Sequence, residues 1–403
     1  MTMKRSLAVL LILVSVPVLL AQPADPNLAK AKKLAKESII VDGHVDIPYR
    51  LHDEWEDISQ RTAKGDFDYV RAKDGGLDAP FMSIYIPAER ENNGAYELAD
   101  TLIGLVETIV KQHPEKFAIA KSVADVRAQF AKGLISLPMG MENGSPIDHK
   151  IENVKYFADR GIRYITLTHG KANHISNSSY DTTRPWKGLS PFGDQVVSEM
   201  NKWGIMVDVS HLTDDAILRV LEITKAPVIA SHSSCRRFTP RFERNISDDL
   251  IKKVGENGGV VMIAFASSFL SETYRQFEDR ARREVEEYIA GKGWKRRSPE
   301  ARAYIREYQT KNPPPFATVK DIADHIDNVV KVAGIDHVGF GSDFDGVGDS
   351  LPIGVKGPEG YPNIIAELLA RGYSDQDIKK LCGENVLRVW QRCEEVAREI
   401  KGQ

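Results

Sequence analysis

The chain of 403 residues is long enough to bury a large core, which suits one large α/β domain or two smaller ones. Its composition, 42% hydrophobic and 28% charged, is that of an ordinary globular protein. The formal net charge of −3 argues against a nucleic-acid-binding protein, which would present a basic face.

The N-terminus carries the features of a secretory signal. Lys4 and Arg5 precede an apolar run from Leu7 to Leu20, and Ala21 follows it. The run is short for a transmembrane helix, which needs about 20 apolar residues. We therefore expect residues 1–21 to be a signal peptide and the protein to be periplasmic or extracellular. The alternative is an uncleaved signal that anchors the protein to the membrane.

Helix-like and strand-like patterns alternate along residues 22–403. A basic amphipathic helix is predicted over residues 27–38, and further helices over residues 95–113 and 193–204. Eight apolar segments are strand-like: residues 39–46, 81–87, 134–142, 163–169, 205–211, 227–233, 259–265 and 337–344. Strands rich in Val, Ile and Leu that alternate with helices indicate a parallel sheet buried on both faces.

Eight such segments predict an α/β fold of the (β/α)₈ or TIM-barrel type, in one domain over residues 22–403. A doubly wound open sheet is the alternative, and the lack of a GxGxxG loop after the first strand counts against it. The charged, helix-rich stretch 266–318 departs from the alternation. We interpret it as an excursion between the seventh and eighth strands that forms a solvated face. A lid over the substrate is the alternative.

The three cysteines, Cys235, Cys382 and Cys393, do not form a recognisable framework. An odd number without a CxxC pair describes neither a disulfide scaffold nor a thiolate zinc site. Cys382 and Cys393 flank a helix-like stretch and would lie roughly 16 Å apart along it, too far to form a disulfide.

Polar residues end most of the predicted strands. They are His44 and Asp46 (first strand), Glu142 (third), His169 (fourth), His211 (fifth), His232 (sixth) and Asp343 (eighth). In a barrel of this class the catalytic groups lie at the C-terminal ends of the strands, so these side chains are expected at one rim. A lone histidine there would more often be structural. Four histidines with three carboxylates point to a metal or catalytic site.

The candidate ligands also indicate the metal. Nitrogen and oxygen ligands without thiolate suit Zn²⁺, with Mn²⁺ and Co²⁺ as alternatives. Five candidates exceed the three protein ligands of one catalytic zinc, whereas two ions about 3.5–4 Å apart that share a carboxylate would use them all. Glu142 is the natural bridge, because a carboxylate has two oxygens. His44 and Asp46 would then hold one ion, and His211 and His232 the other.

The other six histidines lie in helix-like, loop or polar contexts. We interpret them as structural or solvated: His52, His113, His149, His174, His325 and His337. Of these six, His174 is the one that could be a metal ligand instead, because its loop follows the strand that ends in His169.

These segments resemble the membrane (renal-type) dipeptidase family, the M19 metallopeptidases of the amidohydrolase-like barrels. The matching segments are DGHVDIP, the Glu of GMENG, RYITLTHG, DVSHL, SHSSCR, RNISDD, VGFGSDFDG, and YPNIIAELL with GENVLRVW, in order over residues 38–392. The segment after His169 lacks the Cys-Asn sequence of the animal members, and the chain is similar to the exported bacterial branch.

The resemblance implies a zinc-dependent dipeptidase with two bridged ions, a small peptide substrate, tolerance of a D-residue at the C-terminal position, and a homodimer. It implies that His169 binds substrate near the scissile carbonyl, that Arg244 contacts substrate, and that Asp343 is the acid/base carboxylate. Two zinc ions would lower the pKa of a shared water toward about 7, giving hydroxide as the nucleophile. His169 would stabilise the oxyanion, and Asp343 would pass the proton to the leaving amine.

Two other functions remain open at this point. Another amidohydrolase-type metal hydrolase, acting on a cyclic amide, lactone or phosphoester, often begins with HxH and bridges its metals with a modified lysine. This chain has HxD and a glutamate instead. An exported binding protein with a dead site would be expected to have lost a ligand, and all five candidates are present.

Overall fold

The computed structural model describes residues 26–402. The predicted signal peptide, residues 1–21, lies outside this range. Within it, no helix combines the length and the apolar composition that a membrane span requires.

The described residues form parallel strands and flanking helices in alternation. The strands are β1 (Ile40–Val45), β2 (Leu77–Tyr85), β3 (Phe117–Ile119), β4 (Ile135–Leu137), β5 (Met139–Glu142), β6 (Ile162–Thr166), β7 (Met206–Asp208), β8 (Ile229–Ala230), β9 (Val260–Ile263) and β10 (Val338–Phe340). The helices up to β7 are α1 (Pro26–Glu37), α2 (Ile47–Asp53), α3 (Tyr69–Gly75), α4 (Ala95–Gln112), α5 (Val123–Phe130), α6 (Glu152–Arg160) and α7 (Pro191–Trp203). The later helices are α8 (Asp214–Ile223), α9 (Asp248–Glu256), α10 (Ser267–Leu270), α11 (Glu272–Gly291), α12 (Pro299–Lys311), α13 (Val319–Ala333), α14 (Tyr361–Ala370), α15 (Asp375–Lys379) and α16 (Asn385–Lys401).

Eight of these strands close into a parallel barrel in the order β1-β10-β9-β8-β7-β6-β5-β2. Each of the eight predicted segments supplies one barrel strand, so the predicted (β/α)₈ barrel is confirmed and the open sheet is excluded. The predicted helices over residues 27–38, 95–113 and 193–204 correspond to α1, α4 and α7.

The third predicted segment, residues 134–142, differs from the expectation of one strand. It breaks at Pro138 into β4, which pairs with β3 in a separate two-stranded sheet, and β5, which joins the barrel between β2 and β6. Proline has no N–H to donate to a ladder. Its carbonyl oxygen still accepts the backbone N–H of Met82 at 2.8 Å, so the break leaves the barrel side of the chain paired.

Short polar side chains set where many helices begin. In nine of the described helices the residue before the first turn accepts a backbone N–H with its side chain, which satisfies one of the otherwise free donors. These residues are Asp68, Ser122, Ser190, Thr213, Ser247, Ser271, Ser298, Thr318 and Ser374. The start of each helix is therefore encoded locally, at the ends of short loops.

The stretch 266–318 lies between β9 and β10 and forms α10, α11 and α12. Helices α11 and α12 pack on each other through a small apolar cluster of Val285, Ile289 and Ala301. Most of their charged side chains are exposed. The three cysteines are free and buried.

A second apolar cluster fills the barrel and its lower end. Phe81 from β2 packs at 5.3 Å from the ring of Tyr164 on β6 and at 5.4 Å from Trp390 on α16. Met262 of β9 belongs to the same cluster. This end of the interior is thus a packed core, and the cluster of histidines and carboxylates lies at the opposite rim.

His325 of α13 joins this helix to the loop that follows β8. Its Nδ1 accepts the backbone N–H of Cys235 at 2.9 Å, and its Nε2–H donates to the carbonyl oxygen of Leu270 at 3.1 Å. Both ring nitrogens are therefore used in the neutral form. Burial lowers the pKa of His325 from 6.5 to about 4. Because the loop after β8 carries His232 and Arg244, His325 helps to hold the rim.

Acid is expected to destabilise the fold through His325. The unfolded chain takes up this proton below pH 6.5, whereas the folded protein resists protonation down to about pH 4. The contribution of His325 is fully present above pH 6.5 and is lost as the pH falls toward 4, at a cost of roughly 3 kcal/mol. Denaturant unfolding of wild type and His325→Asn across this range measures it. The free energy of unfolding should fall more steeply in wild type, and an equal fall in both proteins would contradict the assignment.

Candidate metal centre

The C-terminal ends of the barrel strands open into a cavity of about 620 Å³. Its walls include Tyr49, Tyr85, His169, Tyr180, Arg244 and Phe269, and Glu142 lies at its floor. Phe269 of α10 is the described residue that the stretch 266–318 contributes to this lining. The cavity is therefore formed by the loops that directly follow the strands, where catalytic groups of such barrels lie.

Glu142 is the centre of the cluster. Its Oε2 lies 3.3 Å from Nε2 of His44. Its Oε1 lies 3.0 Å from Nε2 of His211, 3.3 Å from Nε2 of His232 and 3.7 Å from Nε2 of His169. The carboxylate is buried, with 3% of its surface exposed. Its two oxygens thus face different histidines, which is the arrangement that a bridging carboxylate requires.

Ligand atoms converge in three overlapping groups, in each of which they lie within 4.8 Å of one another. The groups are His44 with Glu142 and His232, Glu142 with His169 and His211, and His44 with Asp46 and Asp343. All five predicted ligands are therefore brought together. His169 and Asp343, for which the resemblance implies substrate and proton chemistry, belong to these groups as well. Each lies close enough to the candidate ligands to share a metal ion with them.

Several nitrogen and oxygen atoms that could bind a metal make no hydrogen bond among the described residues. Nε2 of His44 and Oδ1 of Asp46 are buried and make no hydrogen bond among the described residues. Nε2 of His211 and Nε2 of His232 face each other at 2.9 Å, so one of these two nitrogens must carry the shared proton. Buried polar atoms without partners are costly. Nitrogen and oxygen lone pairs that converge in this way fit divalent metal ions such as zinc.

The electrostatics of His211, His232 and Glu142 favour metal binding. Burial lowers the pKa of both His211 and His232 well below the usual range, and Arg244 adds to the effect, so both rings are held neutral. Burial alone would raise the pKa of Glu142, but His44 and His169 hold it well below its usual range. Neutral rings of His211 and His232 beside the ionised Glu142 are the protonation states that metal binding needs. Burial would lower the pKa of His44, but Tyr164, Glu142 and Asp46 hold it well above its usual range, so this ring must release a proton when it binds a metal.

Asp343 lies beside Asp46 in a conformation that the loop after β10 sets. Its backbone φ is +64°, in the left-handed region that residues other than glycine rarely adopt. Burial and the neighbouring Asp46 carboxylate raise the pKa of Asp343 well above its usual range. A Cβ on Gly346 would lie 2.1 Å from Oδ2 of Asp46 and 2.4 Å from Oδ1 of Asp343. Glycine at position 346 is therefore what lets the two carboxylates approach.

Arg244 lies on the loop after β8, with 2% of its surface exposed. Its guanidinium donates to Oγ of Ser233 and to the carbonyl oxygen of His232, both at 2.7 Å, and lies 5.1 Å from the ring centre of Phe269. Its Nε has no partner, and no carboxylate of the described residues forms an ion pair with it. A buried cation without a counterion in the cavity wall is suited to an anionic ligand.

The residues that support the candidate ligands from behind were not predicted from the sequence. Tyr164 lies with its hydroxyl 2.8 Å from Nδ1 of His44, and a Cβ on Gly140 would lie 2.0 Å from its ring. Asp42 accepts the backbone N–H of His44 at 3.0 Å, and Asp208 contacts Ser231. Asp42 and Asp208 each lie inside an apolar strand. Because aspartates are rarely buried without a partner, these two positions could have indicated the supporting residues.

Comparison with known proteins identifies the family of this chain. The membrane dipeptidase family (peptidase family M19) matches residues 28–403. The chain is similar to the solved structure of the probable dipeptidase PvdM from Pseudomonas aeruginosa, with 25% identity and a TM-score of 0.78 over 93% of this chain and 100% of that one. It is also similar to the dipeptidase AC, an M19 metallopeptidase, with 25% identity and a TM-score of 0.73 over 88% of this chain and 98% of that one.

A third similar structure carries a ligand. It is a metallopeptidase from Rhodobacter sphaeroides liganded with a phosphinate mimic of the dipeptide L-Ala-D-Ala, and it has 25% identity and a TM-score of 0.72 over 88% of this chain and 99% of that one. The family match covers nearly all of the described residues, including every strand of the barrel and every candidate ligand at its rim. The chain belongs to the membrane dipeptidase family, the M19 metallopeptidases.

Proposed function

We propose that the protein is a zinc-dependent dipeptidase that hydrolyses the peptide bond of dipeptides, with two zinc ions bridged by Glu142. The observation that carries this proposal is the position of Glu142, whose Oε2 lies 3.3 Å from His44 and whose Oε1 lies 3.0 Å from His211. One carboxylate therefore lies between two sets of nitrogen ligands. Membership of the M19 family supports a dipeptide as the substrate.

In this proposal His44 and Asp46 would hold one zinc ion, and His211 and His232 would hold the other. The bound ions supply Lewis-acid polarisation of the peptide carbonyl and an activated hydroxide as the nucleophile. Glu142 would bind both ions through its carboxylate. The neutral state of His211 and His232, which burial enforces, leaves their lone pairs available.

The remaining residues of the cavity bind the dipeptide and move the proton. Arg244 binds the C-terminal carboxylate, since its planar fork has no acidic partner among residues 26–402. His169 is held neutral by burial, keeps one N–H, and donates it to the carbonyl oxygen as negative charge develops. Asp343 holds a proton more readily than an exposed aspartate does, so it can take the proton of the attacking water and pass it to the leaving amine.

We also propose that the enzyme accepts a D-residue at the C-terminal position. The support is the Rhodobacter sphaeroides metallopeptidase, which is liganded with a mimic of L-Ala-D-Ala. An exported enzyme with this tolerance would meet suitable substrates among fragments of the bacterial cell wall.

A panel of small substrates with and without a chelator tests the function. L-Ala-L-Ala and L-Ala-D-Ala should be hydrolysed, and a chelator should abolish both activities until zinc is added back. Tripeptides, cyclic amides, lactones and phosphoesters serve as controls and should be poor substrates. Hydrolysis of a lactone or phosphoester in preference to every dipeptide would overturn the proposal, and so would dipeptide hydrolysis that survives complete removal of metal.

The role of Arg244 predicts a non-additive result. A charge-assisted bond to a carboxylate contributes roughly 1.5–3 kcal/mol, so amidation of the dipeptide's C-terminus should lower kcat/KM by roughly 10–150-fold. Arg244→Ala should impose a similar loss on the free acid and little further loss on the amide. Steady-state kinetics of both proteins on both substrates measure this. Equal slowing of acid and amide would show that Arg244 does not bind the carboxylate, and Arg241 would then be the next arginine to test.

We further propose that the protein is exported and forms a homodimer. The pattern of residues 4–21 supports export, and the family resemblance supports the dimer. Fractionation of cells, with N-terminal sequencing of the mature protein, tests export and cleavage after residue 21. Retention of the full N-terminus in the membrane fraction would favour an uncleaved anchor. Light scattering of the purified protein tests the dimer.

A further inference from the structure

His232 is connected to a buried carboxylate through one serine. Oγ of Ser231 lies 2.7 Å from Nδ1 of His232 and donates to Oδ2 of Asp208 at 2.6 Å. All three residues are almost completely buried, with at most 1% of their surface exposed. Asp208 ends β7 and Ser231 follows β8, so the connection spans two neighbouring strands of the barrel.

The other bonds of Asp208 determine the direction of this chain. Its Oδ1 accepts the backbone N–H groups of Ser210 at 3.0 Å and Ser231 at 2.8 Å, and its Oδ2 also accepts the hydroxyl of Thr166. Four donors on two oxygens fill the four acceptor positions of this carboxylate. The single hydroxyl proton of Ser231 therefore goes to Asp208. Oγ of Ser231 must then accept from Nδ1–H of His232.

We propose that Asp208 is a positioning residue that acts through Ser231 to fix the tautomer and the orientation of His232, so that the Nε2 lone pair of this ring faces the metal centre. The inference rests on the proposed role of His232 as a zinc ligand. With Nδ1 protonated, His232 accepts at Nε2, and His211 is the donor of the 2.9 Å contact between the two rings. Histidine ligands of metals are commonly held from behind by a carboxylate. Here a serine hydroxyl lies between the carboxylate and the ring.

Among the described residues, neither His44 nor His211 is linked to a carboxylate in this way. The effect of Asp208 should therefore be confined to the side of the site that His232 occupies. Nδ1 of His44 faces the phenol of Tyr164 at 2.8 Å, which carries no charge at neutral pH. Nδ1 of His211 is buried and has no partner among the described residues. Loss of the chain from Asp208 should therefore weaken the ion held by His232 and spare the ion held by His44 and Asp46.

Zinc titration of the metal-free protein against a competing chelator tests this inference. Wild type should bind two ions. Ser231→Ala keeps the two backbone bonds of Asp208 but removes the link to the ring, and it should lower the affinity for one ion by roughly 10–100-fold. Asp208→Asn should have the same effect or a larger one. Thr166→Val is the matched control, because it removes the other hydroxyl from the same oxygen without touching His232, and it should leave both affinities close to wild type.

Nitrogen NMR of the metal-free protein gives an independent readout. In wild type and Thr166→Val the ring of His232 should carry its proton on Nδ1, and in Ser231→Ala this preference should be lost. Unchanged zinc affinity and an unchanged tautomer in Ser231→Ala would overturn the inference while leaving the proposed function intact. An equal loss of affinity in Thr166→Val would also overturn it, since the effect would then be general to the packing around Asp208. Failure of wild type to bind zinc would instead refute the proposed function.

Discussion

Glu142→Gln is expected to bind at most one zinc ion and to lose nearly all turnover. The carboxamide keeps only one oxygen, and its NH₂ group would face either His44 or the pair His211 and His232, each of which presents nitrogen to this side chain. It also removes the negative charge that lies between the two proposed ions. Metal analysis of the purified protein, with dipeptide hydrolysis, measures both effects, and wild type should hold about two zinc ions per chain.

Glu91→Gln is the matched control for Glu142→Gln. Glu91 is also a glutamate that contacts a histidine, since its Oε1 accepts the backbone N–H of His174 at 2.9 Å and lies 3.1 Å from the Nδ1 of the same residue. It lies outside the cavity lining. The control variant should keep its metal and its activity. Two ions and full turnover in Glu142→Gln would remove Glu142 as the bridge.

Asp343→Asn is expected to keep both ions and lose turnover by roughly 10²–10⁴. Asparagine has nearly the same shape, so the left-handed turn at this position is preserved, but it can neither take up nor release a proton. Rapid-mixing kinetics and metal analysis on the same preparation separate the two effects. Loss of metal from the variant would make Asp343 a ligand, a role that its position within 4.8 Å of the ligand atoms of His44 and Asp46 would permit.

The matched control here is Asp345→Asn, two residues further along the same loop. Asp345 accepts the backbone N–H groups of Asp66 at 2.7 Å and Phe67 at 3.3 Å and lies 3.3 Å from Nε of Arg50. It therefore acts as a structural carboxylate of the turn. Its variant should be less stable but should retain turnover. A loss of turnover in Asp345→Asn as large as that in Asp343→Asn would favour a shared structural effect over proton transfer.

The strands of the barrel were predictable because each is a local pattern. Apolar runs such as residues 205–211 and 259–265 are buried on both faces in any parallel α/β fold, so their composition alone reveals them. Helix starts were local as well, since a serine or threonine beside the first turn satisfies backbone donors that nothing else reaches. The break at Pro138 could also have been predicted, because proline lacks the N–H that a continuous ladder of hydrogen bonds needs.

The candidate site could be predicted from the sequence only in part. The residue types at the strand ends and the direction of parallel strands place His44, Glu142 and His232 at one rim, and these follow from sequence. Closure of the barrel then decided which residues meet: β10 lies beside β1, so Asp343, near the end of the barrel sequence, reaches His44 and Asp46 at its beginning. The sequence order of the strands does not specify these distances.

The sequence by itself therefore determined the fold class, the family and the set of polar residues at the rim, because periodicity and residue type are properties of short segments. The tertiary structure decided that Glu142 presents its two oxygens to different histidines, that Asp46 and Asp343 meet beside Gly346, and that Asp208 reaches His232 through Ser231. Each of these contacts joins residues from different strands or loops, so side-chain positions are set by packing across the barrel and not by neighbours in the chain.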